Sequence, residues 1–92
     1  MDFIKKIIEE VKKEHNFDTH HVINCAIKDH SDDYIQFVSQ YASSKRPTFT
    51  AHQQFGHQIA KLEGTLVKRQ PDQSHSLNIH GNSGECALWK RI

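Results

Sequence analysis

The chain has 92 residues, enough for one domain, and its 36% hydrophobic and 25% charged residues suit a modest core under a polar surface. No run nears the roughly 18 consecutive apolar residues of a membrane span, and charges break the apolar residues of the N-terminus too often for a signal peptide. The two cysteines, Cys25 and Cys86, share no CxxC spacing, so the expectation is a soluble cytoplasmic protein with reduced thiols. The net charge of +1 hides a split: residues 1–44 hold five Lys against eight Asp/Glu, residues 45–92 seven Lys/Arg against three.

Residues 2–15 predict an amphipathic helix. Phe3, Ile4, Ile7, Ile8 and Val11 share a face, Lys and Glu cover the rest, and Glu9 with Lys13 makes an i,i+4 pair before Asn16 ends the element. Residues 19–29 predict a second helix, N-capped by Asp18 or Thr19, with a stripe of Val22, Ile23, Ala26 and Ile27. Cys25 alternates with these residues and reads as a buried thiol. A third helix spans 33–44 with Tyr34, Phe37, Val38 and Tyr41 on one side, and Pro47 stops it.

The fourth helix, 51–63, is signalled at both ends. Thr50 and Gln53 match a capping box, Phe55, Ile59 and Leu62 recur at helical spacing, and Gly64 suits a left-handed terminus. Beyond it the period turns towards alternation. Residues 65–69 read as a short strand and 70–73, with Pro71, as a loop. Leu77 and Ile79 alternate with polar residues, Gly-Asn-Ser-Gly at 81–84 marks a turn, and 86–89 return. Helices first and a hairpin over 74–91 last give an α+β domain.

One stretch carries a resemblance. Tyr34-Ile-Gln-Phe37 and Tyr41 lead through Arg46-Pro47-Thr-Phe-Thr50 to Phe55-Gly-His-Gln-Ile59, Leu62, Gly64 and Lys68-Arg69, with Trp89 in the last strand. This order resembles the winged-helix domains of the RFX type and those at the C-terminus of phage and poxvirus primase-helicases. The resemblance implies a winged-helix core at 33–92 with an N-terminal helical extension at 1–30, together one domain over 1–92. It implies double-stranded DNA as the partner, and a regulator or replication accessory of phage or mobile-element type. The recognition helix departs from that family, carrying His and Gln where Arg or Lys is frequent.

The residues support a matching surface. With Phe55, Ile59 and Leu62 inward, a step of about 100° per residue aims Gln53, His57, Ala60 and Lys61 at solvent, with Gln54 on the flank. Gln suits adenine edges, Lys guanine or phosphate, and a small Ala60 the thymine methyl. Lys45 and Arg46 before the helix, Lys68 and Arg69 after it, and Lys90 and Arg91 at the end of the wing are candidate phosphate contacts. Phe55, Tyr41 and Trp89 are expected in the core.

Other chemistry is less well signalled. Eight histidines are many for this length, and His21 with Cys25 could chelate from one helix face, joined by His20 or His30, while His80 and Cys86 flank the wing turn. No paired ligands at structural-zinc spacing occur, so neither metal nor cofactor is expected. His52, His57, His75 and His80 read as surface residues that add charge when protonated. Gly-Asn-Ser-Gly is better explained as a turn than as a protease loop, and with no phosphate loop or GxGxxG no catalysis is expected. The competing reading is a protein-binding adaptor or homodimer that exposes Phe3, Ile4 and Ile7 of the first helix as an apolar patch.

Overall fold

A computed structural model describes residues 2–78, 81 and 83–92. It is an α+β domain of four helices and one three-stranded antiparallel sheet. In chain order the elements are α1 (Asp2–Glu9), β1 (Asn16–Asp18), α2 (Thr19–Asp29), α3 (Ser31–Ser39), α4 (Pro47–Ala60), β2 (Val67–Leu77) and β3 (Ser83–Arg91). The sheet order is β1-β3-β2, so the last strand lies between the other two.

The first helix is shorter than its periodicity suggests. After Glu9 the hydrogen bonds tighten to the third residue back, Glu10 N–H to the Ile7 carbonyl and Val11 N–H to that of Ile8, and the helix closes. The chain then reverses through Glu14, whose φ of 72° is in the left-handed region. Glu14 N–H donates to the Arg91 carbonyl at 2.7 Å and Arg91 N–H to the His15 carbonyl at 2.9 Å, which feeds the chain into β1 beside β3. Pairing Asn16 with Lys90, Phe17 with Trp89 and Asp18 with Leu88 holds this strand, which the hydrophobic pattern gave no reason to expect.

α2 starts where its cap predicts: the Asp18 carboxylate accepts the His21 N–H at 2.8 Å. The capping box on α4 does not form. The helix opens one turn earlier, with Pro47 in its first turn, Arg46 as N-cap and no side-chain cap bond. Thr50 N–H is already satisfied by the Arg46 carbonyl at 2.9 Å, and the Thr50 hydroxyl bonds that of Ser44 at 2.8 Å. α4 ends at Ala60 rather than residue 63, and Gly64 has the expected left-handed φ, 87°. α3 also closes early, the remainder to Ser44 being turns with third-residue bonds.

The expected loop at 70–73 is part of a strand. β2 runs on from Val67 to Leu77, and its register slips between Arg69, opposite Trp89, and Gln73, opposite Ala87. Pro71 falls in that irregularity on an edge strand, where the missing N–H costs no ladder bond. Gly81 has φ 81° and donates its N–H to the Asn78 carbonyl at 3.1 Å, consistent with a turn there. Ile79, His80 and Asn82, read as part of the wing, lie outside the described residues.

One core joins all these elements. Trp89, Phe37, Phe55, Ile4, Ile8, Ile59, Val22 and Val67 are its largest fully buried side chains. The rings of Phe3, Phe37 and Phe55 pack edge to face, Phe37 and Phe55 with centroids 4.9 Å apart. Trp89 N–H donates to the Thr19 hydroxyl at 3.3 Å, which satisfies two buried polar groups together.

The N-terminal segment, expected as an extension, therefore supplies Phe3, Ile4, Ile7, Ile8 and Phe17 to the same core as the rest. The exposed first helix that the competing adaptor reading requires is not found. Phe3, Ile4 and Ile7 are 7%, 1% and 2% exposed, so the patch required for an adaptor or homodimer through that face is turned inward. No helix is long and apolar enough to cross a membrane among the described residues.

Candidate nucleic-acid interface

Burying Ala51, Phe55 and Ile59 fixes the rotation of α4 and leaves its opposite face outward. Gln53, His57, Ala60 and Lys61 are exposed and Gln54 is half-buried on the flank, as the helical step requires. Arg46 and Phe49, one turn earlier, extend the exposed row. The Arg46 guanidinium lies 4.4 Å from the centre of the Phe49 ring, and Phe49 is 45% exposed despite its size. Lys45 is exposed in the preceding turn.

The N-terminal half of α4 borders a cleft of about 420 Å³ with the first turn of α2 and the distal hairpin. Phe49, Gln53 and Gly56 form its helical wall; Glu85, Cys86 and Ala87 stand opposite. Gly56 leaves that wall low, because no atom lies within 4 Å of where its Cβ would stand. His52 is anchored at the same edge by the Tyr34 hydroxyl, 2.7 Å from its Nε2. Phe49 and the Arg46 that stacks on it carry little periodic signal, since Phe49 precedes the helix start that Thr50 suggests.

The other four basic candidates gather elsewhere. Lys68 pairs with Lys90 across β2 and β3, Arg69 with Trp89, and Val67 with Arg91. These positions lie at the base of the hairpin, where β3 also pairs with β1. Lys90, Arg69 and Arg91 also have internal partners. Lys90 Nζ is 3.0 Å from a Glu14 carboxylate oxygen, which offsets the like charge of Lys68 opposite. The Arg69 guanidinium lies 5.4 Å from the Trp89 ring centre, the Arg69 backbone N–H donates to a Glu63 carboxylate oxygen at 3.0 Å, and the Arg91 guanidinium donates to the Ile92 carbonyl.

The ten candidates thus form two groups. Lys45, Arg46, Gln53, Gln54, His57 and Lys61 belong to α4 and its ends; Lys68, Arg69, Lys90 and Arg91 belong to the hairpin base. Arg46 and Lys61 cap the two ends of α4, and the axial rise between them is roughly 22 Å.

Among the other titratable groups, burial pushes the Asp18 carboxyl up. Hydrogen bonds from Ser74, the His21 backbone and Ser76, with the charge of His20, outweigh that and leave it below its ordinary 3.8. Burial, then the charges of Asp29 and Glu10, raise the Cys25 thiol. Cys25 is half-buried, not fully buried, and its sulfur lies 3.6 Å from His21 Nε2. Compared with protein-family models, curated proteins and solved structures, the chain matches none.

Proposed function

We propose that this chain is a non-enzymatic winged-helix domain that binds double-stranded DNA, as a regulator or replication accessory. In this reading α3 and α4 form the helix-turn-helix, α4 enters the major groove, and the hairpin of β2 and β3 beyond β1 is the wing. The observation that carries it is the uncovered row on α4: Arg46, Phe49, Gln53, His57 and Lys61, beside a cleft whose far wall is the wing.

The dimensions agree. A helix fits a major groove about 12 Å wide, and the roughly 22 Å of axial rise between Arg46 and Lys61 lets the two cations reach phosphates on either side of it. Gln53 stands mid-row, free of the capping role that Thr50 would have given it, and can offer its amide to an adenine edge. The hairpin-base residues Lys68, Arg69, Lys90 and Arg91 contribute less, since Lys90 is ion-paired with Glu14 and Arg69 is stacked on Trp89.

The reading is tested by titrating the protein into a generic duplex at several salt concentrations. Log affinity falls linearly with log salt if phosphates are neutralised. Affinity that is weak at low salt and unchanged by added salt counts against it.

A further inference from the structure

We propose that Asp18, His20 and Cys86 form a zinc-binding site that joins the wing to the first turn of α2. Spacing along the chain gives no sign of it, and the expectation of no metal rested on spacing alone. The fold supplies what the sequence hides: Asp18 ends β1, His20 lies in the first turn of α2, and Cys86 lies in β3. One ligand atom from each lies within 4.8 Å of the other two, and all three residues are half-buried. Tetrahedral zinc needs such atoms about 3.5 Å apart, so small rotations of the side chains close the site.

The donor set has the right chemistry. A thiolate, an imidazole and a carboxylate together favour zinc over calcium or magnesium, which take oxygen ligands. A supporting set of hydrogen bonds is already in position. The Ser74 hydroxyl donates to Asp18 Oδ2 at 2.7 Å, and the His21 N–H donates to Oδ1. Ser76 Oγ lies 2.5 Å from His20 Nδ1. Such partners orient ligands and sharpen affinity. They also place two β2 serines, Ser74 and Ser76, on the same cluster, so an ion there would fix the hairpin against α2. His20 and Cys86 also line the cleft beside α4, which leaves a fourth coordination position open to solvent on that side.

The neighbouring His21–Cys25 pair is the obvious competitor, but it offers two ligands on an exposed helix face and a thiol whose ionisation is opposed. The two cysteines therefore discriminate between the sites. The purified full chain, stripped with a chelator, is titrated with zinc and separately with cobalt(II). One equivalent of zinc should bind and raise the melting temperature, and cobalt should produce a thiolate-to-metal charge-transfer band. Cys86→Ser should abolish that band and Cys25→Ser should keep it. His20→Gln and Asp18→Asn should each weaken zinc at least tenfold; Asn keeps the N-cap acceptor, so α2 still forms. A parent protein without the band overturns the proposal. So does a band that survives Cys86→Ser or vanishes in Cys25→Ser, or zinc affinity unchanged in both His20→Gln and Asp18→Asn.

Discussion

α1 and β2 are held in the molecule by different means. α1 has eight residues and buries four large apolar side chains, Phe3, Ile4, Ile7 and Ile8. β2 has eleven and buries one, Val67. Side-chain packing fixes the helix, whereas the distal strand is fixed by its ladder to β3 and by the hydrogen bonds of Ser74 and Ser76 to Asp18 and His20. Stability therefore concentrates on the helical side. The distal hairpin keeps side chains that fold stability does not require, which is where a ligand surface can be built.

Substitutions can break this contrast. The largest effect is expected in the aromatic cluster beneath α1: Phe55→Ala should cost about 4 kcal/mol, because Phe55 is fully buried against Phe3 and Phe37. Ile8→Ala, at 0% exposure, should cost about 3 kcal/mol. Denaturant unfolding checks both, and a loss under about 1 kcal/mol in either would mean that α1 is not part of the core.

At the junction of the two regions the effect is smaller. Asp18→Ala removes the cap of α2 and the Ser74 contact and should cost about 1 kcal/mol in chelator-treated protein. The Asp18 carboxyl has its folded pKa below the ordinary 3.8, so its contribution is present above that value and is lost as pH falls through the folded one. The parent should lose part of its acid stability there, and Asp18→Asn should lack that component. Equal acid-unfolding slopes below pH 3.8 in the two proteins would contradict the assignment.

Two substitutions should move stability little or upward. Gly56→Ala should stabilise by about 0.5–1 kcal/mol, since the helix gains propensity and the added methyl group meets nothing within 4 Å. The same methyl group narrows the cleft, so a variant that melts higher yet binds duplex less well would separate fold from function. Leu77→Ala, on the distal hairpin at 63% exposure, should stay within about 0.5 kcal/mol of the parent. A larger loss would mean that the distal strand contributes more packing than its burial indicates.

The same contrast explains what the sequence reveals. The stripes of α1, α2 and α4 are legible because burying one face imposes a period, and the outward row from Gln53 to Lys61 follows from that rotation. Helix ends are less legible. Thr50 and Gln53 satisfy a capping rule, but Pro47 can begin the helix earlier because its missing N–H belongs to the unpaired first turn. β1 is illegible because its three residues include one buried apolar side chain and are specified by β3, whose partners lie 70 to 74 residues later. The Asp18–His20–Cys86 cluster is illegible for the same reason. Lys90 and Arg91 close the last strand, and antiparallel pairing sets them beside Lys68 and Val67.

In the proposed function the outward row of α4 meets a duplex backbone. The direct measurement is the slope of log affinity against log salt for the parent, Arg46→Ala and Lys61→Ala proteins on one generic duplex. Each substitution removes an exposed cation without touching the core, so folding should be unaffected. Weaker binding to all sequences and a slope lower by about one are expected in each variant. Curves for both variants that overlay the parent's would take α4 out of the interface and contradict the proposed function.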